Sequence, residues 1–188
     1  MDIITVEKRN TAKKAKQLRR SGFIPCVISG GALKEALSVQ LEKTAADKLF
    51  KLNREGSRIQ IKLDDQIIPV QIKEKNRDFL SNELIHISFQ ALEADQKVNS
   101  IAHIILHNAE KTKGVLEKTL LEIPYSALPA DMIDTVPIDL DGLTIGTIIT
   151  VSDISVFKNE KIELHVDANT VIFRIIDKNI LPLEDDVE

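Results

Sequence analysis

Six fixed cations lie between Arg9 and Arg20, namely Arg9, Lys13, Lys14, Lys16, Arg19 and Arg20, and no Asp or Glu occurs from Lys8 to Lys34. Side chains of this kind, gathered on a short element, neutralise phosphates and give a salt-dependent grip on a polyanion. The same spacing also suits the solvated basic face of a helix, and the stretch alone leaves the two readings even. A second candidate surface lies further on. Arg58, Gln60, Lys62, Gln71, Lys73, Lys75, His86, Ser88 and Gln90 alternate with apolar residues and include no acid. A solvated sheet face ordinarily mixes both signs. Cations, amides and hydroxyls without acids suit phosphate and groove contacts.

Other chemistries find little support. His103 and His107 are four apart in the segment HIILH, but the Glu beside the first His of a zinc protease is missing, and no third ligand is apparent. The pair reads as partly exposed sheet residues. Gly30-Gly31 is not followed by Lys-Ser or Lys-Thr, so no phosphate loop is expected. Asp64-Asp65 reads as a turn, and no Ser sits in a G-x-S-x-G elbow. Neither catalysis, a metal nor a cofactor is expected. Cys26, the single cysteine, cannot form an internal disulfide and reads as a small buried hydrophobe. No apolar run approaches a membrane span and no secretion signal is visible, so the cytoplasm is the expected compartment.

These residues need elements to hold them. Of 188 residues, 43% are hydrophobic and 4% aromatic, with no Trp, so the core must come from Ile, Leu and Val, which leans towards strands. Residues 3–8 read as a short strand. Asn10 or Thr11 is expected to cap a short helix that Gly22 ends, with Ala12, Ala15 and Leu18 facing the core. Phe23–Ile28 and Leu37–Leu41 read as strands, and Thr44 to about Leu52 as a helix with an Ala45, Leu49 and Leu52 stripe. The alternation of Ile59, Ile61 and Leu63, then Ile68, Val70 and Ile72, then Ile85, Ile87 and Phe89 predicts three antiparallel strands covering a core.

The pattern breaks over residues 91–99, where the charge also changes sign. Residues 1–92 hold 17 Lys and Arg against 11 Asp and Glu, a net +6, and residues 93–188 hold 8 against 18, a net −10. A domain boundary is expected there. Further strands are expected at 100–107, 119–123, 132–140, 147–151, 162–166 and 170–176, and residues 181–188 as a disordered acidic tail.

Several stretches carry a likeness to a known family. Lys16 to Gly30, KQLRRSGFIPCVISG, sets basic residues around Leu18, then Gly22, then an apolar-Pro-apolar run. Pro69-Val70-Gln71-Ile72-Lys73 and His86-Ile87-Ser88-Phe89 add two markers. In the second half, Lys113-Gly114-Val115-Leu116, Leu128-Pro129-Ala130-Asp131 and Leu143-Thr144-Ile145-Gly146 extend it. In this order and spacing the chain resembles the bacterial large-subunit ribosomal protein L25 family, including its two-domain general stress protein (Ctc) type.

The resemblance implies a mainly β fold: a small N-terminal β-barrel with short helices (residues 1–92), then a separate C-terminal β domain (residues 93–180). It implies 5S rRNA as partner, with large-subunit proteins as possible neighbours. Arg19 and Arg20 match the basic motif and His86 matches the family His, while Arg9 and Asn76 or Arg77 fall where polar RNA contacts are placed. With Lys13, Lys16 and Lys73 for phosphates and Gln71 and Ser88 for shape or base-edge contacts, these form the candidate RNA-binding set. Three positions depart from the family: Thr11-Ala12-Lys13 replaces Gly-Lys-Gly, Ser29 replaces a Tyr, and Ser88 replaces an Asp. They motivate an alternative, a stress-associated module of weakened RNA affinity that acts through protein contacts.

Overall fold

In the computed structural model, which describes residues 3–177, the chain divides into two compact units. The first comprises residues 1–100 with 127–134, and the second the remainder. The expected acidic tail lies outside the described residues.

The first unit contains β1 (Ile3–Lys8), α1 (Ala15–Arg20), β2 (Phe23–Ser29), β3 (Leu37–Glu42), α2 (Lys43–Leu52), β4 (Arg58–Leu63), β5 (Gln66–Arg77) and β6 (Leu84–Ala91). The strands close into a barrel in the order β1-β3-β2-β6-β5-β4, with β1 pairing β4 in parallel to seal it. Closure removes the exposed edges an open sheet would leave. The antiparallel β4-β5-β6 run follows the predicted alternation. Its inward residues Ile59, Ile61, Val70, Ile72, Ile87 and Phe89 join Ile24, Cys26, Ile28, Val39 and Leu41 in one buried core. Asp64, at φ 53°, turns β4 into β5 in the left-handed conformation that Asp tolerates better than most residues. Cys26 is buried as expected, and that burial pushes its thiol up to about 12.

The helices differ in detail from expectation. Asn10 does not cap α1. Its carboxamide instead accepts from the Ala12 N–H at 3.0 Å in a tight turn, and α1 begins at Ala15, where Gln17 Oε1 accepts the Lys14 N–H at 3.1 Å. Ala12 is consequently exposed, and Leu18 alone of the helix is fully buried. On α2 the buried residues are Ala46 and Leu49, whereas Leu52 is 64% exposed.

The second unit takes in most of β7 (Val98–His107) and β9 (Glu122–Ala127), with β8 (Val115–Lys118), β10 (Thr135–Asp139), β11 (Ile148–Thr150), β12 (Glu163–Leu164) and β13 (Val171–Ile176). They form two sheets, β10-β7-β9-β12 and β11-β13-β8. The single strand expected at 119–123 is in fact a crossing point. The Thr119 and Leu120 N–H groups both donate to the Ile172 carbonyl, and the chain there leaves one sheet for the other. His103 is buried at 8%, with Nδ1 3.7 Å from Glu122 Oε1, rather than partly exposed.

Candidate nucleic-acid interface

The cationic stretch is held against the barrel by α1. Leu18, 1% exposed, anchors the helix as it packs on β2. Gly22, at φ 86°, ends it, and the Gly22 carbonyl accepts the Lys43 N–H at 2.8 Å. Arg19 Nη1 donates to the Ile85 carbonyl at 3.4 Å, which ties the helix to β6. Lys13 Nζ donates to Ser21 Oγ at 3.2 Å, while Lys16 and Arg20 remain exposed.

Register then decides what lies beside the helix. β2 runs parallel to β6 with Val27 opposite Ser88, and β3 sets Ser38 opposite Val27. The Arg9 N–H donates to the Ser38 carbonyl at 3.1 Å. Arg9, Ser38, Val27 and Ser88 therefore follow one outward row across the barrel, and His86, with Asn76 opposite it on β5, stands in the next. The His86 imidazole is held below its ordinary value, first by burial and then by the charges of Arg9 and Arg19, against an opposing pull from Glu74. Arg9, Arg19, His86, Asn76 and Ser88 thus share one neighbourhood, with Lys13, Lys16 and Arg20 on the adjoining helix and turn.

The acid-free face needs correction. A bulge at Lys73 shifts the register between Ile72 and Glu74, so the alternation reverses beyond it. Glu74 then faces outward opposite Ser88, inside the surface expected to lack acids, and Lys75 shares a face with inward Ile87. Lys75 Nζ lies 4.3 Å from the Phe50 ring centroid and donates to the Asn53 carbonyl at 2.8 Å. The Arg77 guanidinium lies 3.5 Å from the same centroid, and its Nη1 donates to Asn82 Oδ1 at 2.8 Å. Lys73 itself is exposed in the bulge.

Gln71 is a second correction. It points outward but is 2% exposed, because Nε2 donates to Gln90 Oε1 at 3.0 Å and to the Asn99 carbonyl at 2.9 Å. The residues after the barrel cover it, so it is a structural amide rather than a ligand contact. Arg58, Gln60 and Lys62 on β4 lie three strand positions from β2 in a ring of six, on the far side from α1. The Arg58 guanidinium is also engaged by the Pro129 carbonyl. Sequence reasoning missed Glu74, whose orientation no period-2 pattern reveals across a bulge, and Phe50, the ring beneath Arg77.

Among the described residues no three His, Cys, Asp or Glu side chains gather as a metal site, and no helix is long and apolar enough to cross a membrane. The barrel, the second β unit and the cationic helix define a mainly β, two-unit protein with a basic helix packed on its first unit. The Ribosomal L25p family model matches residues 4–89, and that for the C-terminal domain of ribosomal protein TL5 matches residues 97–179. A Geobacillus thermodenitrificans relative called large ribosomal subunit protein bL25 is 34% identical over 163 residues, covering 82% of this chain and 76% of its own. The Caldicellulosiruptor saccharolyticus protein of the same name is 28% identical across 99% of this chain and 92% of its own. The chain belongs to the ribosomal L25p family.

Proposed function

We propose that this protein is a component of the large ribosomal subunit, in the cytoplasm, that binds 5S rRNA through residues 1–92. Arg19, Arg20, Lys13 and Lys16 neutralise phosphates from α1 and the turn before it, and Lys73 contributes one more from the bulge. Arg9, His86, Asn76 and Ser88 line the neighbouring barrel surface, where hydroxyl, amide and imidazole groups suit the 2′-hydroxyls and base edges of a wide RNA minor groove. The observation that carries the reading is geometric: Arg19 is hydrogen-bonded to the Ile85 carbonyl beside His86, and Arg9 is hydrogen-bonded to Ser38 in the row that holds Ser88, on a surface stiffened by a closed barrel. Residues 93–188, net −10, add no attraction for phosphate.

Arg77 contributes differently from the others. Its guanidinium is held over the Phe50 ring and by Asn82 Oδ1, so its charge is fixed in place rather than carried on a free side chain. A gel shift with 5S rRNA, in competition with an unrelated RNA duplex of equal length, tests the reading. Preferential retention of 5S rRNA supports it, and equal displacement by both competitors contradicts it.

A further inference from the structure

Phe79 and Leu80, at 104% and 100% exposure, form the tip of the β5-β6 hairpin. Large apolar side chains are rarely presented so fully, and this turn is not loose. One Asp78 carboxylate oxygen accepts from the Leu80 N–H and the Ser81 N–H, each at 3.0 Å, and from the Ser81 hydroxyl at 3.2 Å. The Asp78 N–H donates to the Glu83 carbonyl at 2.9 Å, and Asn82 closes the turn at φ 55°. The tip is therefore ordered before anything binds, which lowers the entropic cost of using it.

The hairpin is also one wall of an open groove of about 620 Å3, whose other wall includes Lys16, Arg19, Arg20 and Lys43. The two acids of the hairpin wall are both engaged. Glu83 pairs with Lys43 at 2.8 Å, and Asp78 is turned into its own turn, where those donors and the Arg19 charge hold it below the usual carboxylate range. Lys16, Arg19 and Arg20 are left to attract a polyanion into the groove, and Phe79 and Leu80 project into solvent between the two lining residues Asp78 and Ser81. We propose that Phe79 is a stacking contact for an unpaired or splayed RNA base, with Leu80 packed beside it, and that the β5-β6 tip and α1 grip the RNA from the two sides of this groove. Aromatic side chains beside cationic tracks bind single-stranded and irregular RNA in this manner. The inference rests on the RNA-binding reading above.

The chain contains no Trp, so Phe79→Trp in the full-length protein makes a sole reporter at the tip. We expect its fluorescence to be quenched as 5S rRNA saturates the protein. Phe79→Ala should weaken binding about tenfold at every salt concentration, with an unchanged salt slope and an unchanged melting temperature, whereas Phe79→Trp should bind as the wild type does. Salt-dependent binding by the wild type, with an unquenched Trp and no loss in Phe79→Ala, overturns the stacking proposal and leaves the RNA reading standing. No binding by the wild type overturns both. A Phe79→Ala protein that binds free 5S rRNA normally but enters large subunits poorly assigns the tip to a protein neighbour, and also overturns the proposal.

Discussion

His86 feels the charges of both Arg9 and Arg19, and its environment has two consequences of opposite sign. Burial, Arg9 and Arg19 hold its folded-state value below the ordinary 6.5. The unfolded chain therefore binds the proton more readily in that range, so this residue lowers stability as pH falls through the folded value. A bound phosphate favours the imidazolium, so RNA binding takes up a proton, and affinity should rise between about pH 8 and about pH 6. Titrations at several pH values should show that trend in the wild type and a flatter one in His86→Asn; equal slopes would remove His86 from the interface. Cys26, buried and with its thiol pushed up to about 12, should resist thiol reagents in the native state and react only as fast as the protein opens. Gly31 sits at φ 57° with an added Cβ meeting the Ala91 carbonyl at 3.0 Å. Gly31→Ala should cost about 1–2 kcal/mol in denaturant unfolding.

At the scale of elements, Leu18 is the one buried side chain of α1 and carries its apolar attachment. Leu18→Ala should cost about 2–5 kcal/mol if the helix is rigidly docked, and RNA affinity should fall with it although no charge is lost. Unfolding curves and gel shifts on the same variant check both. Strand identity was legible wherever one face is apolar, as in β4, β5 and β6, because the period-2 pattern is a direct record of burial. It failed at the Lys73 bulge, where one extra residue exchanges the two faces and no local residue preference announces it. It failed also at Thr119-Leu120, whose apolar character continues while the chain changes sheets. Part of the candidate site is legible because charge can be counted: the cations of α1 stand together in the sequence without an acid between them. Their convergence with Arg9 and His86 depends on barrel register, and the burial of Gln71 depends on a segment 28 residues away; neither is a local property of sequence.

For the molecule as a whole, the barrel and the cations come together only in part as a single positive platform. Arg9, Lys13, Lys16, Arg19, Arg20 and His86 share one side, Glu74 interrupts it, and the β4 cations face elsewhere. The compact first unit also uses residues beyond 92: Val98 is 2% exposed, and Ser100 Oγ donates to the Gly56 carbonyl at 3.4 Å. A fragment ending at residue 100 should melt higher than one ending at 92, by several degrees if about 1 kcal/mol is involved. The central claim is that α1 meets RNA phosphates. Its most direct measurement is the slope of log K against log salt for 5S rRNA, in the wild type and in Arg19→Ala combined with Arg20→Ala. Two lost phosphate contacts should make the slope shallower by roughly 1.5–2. An unchanged slope and affinity in the double variant would contradict the account.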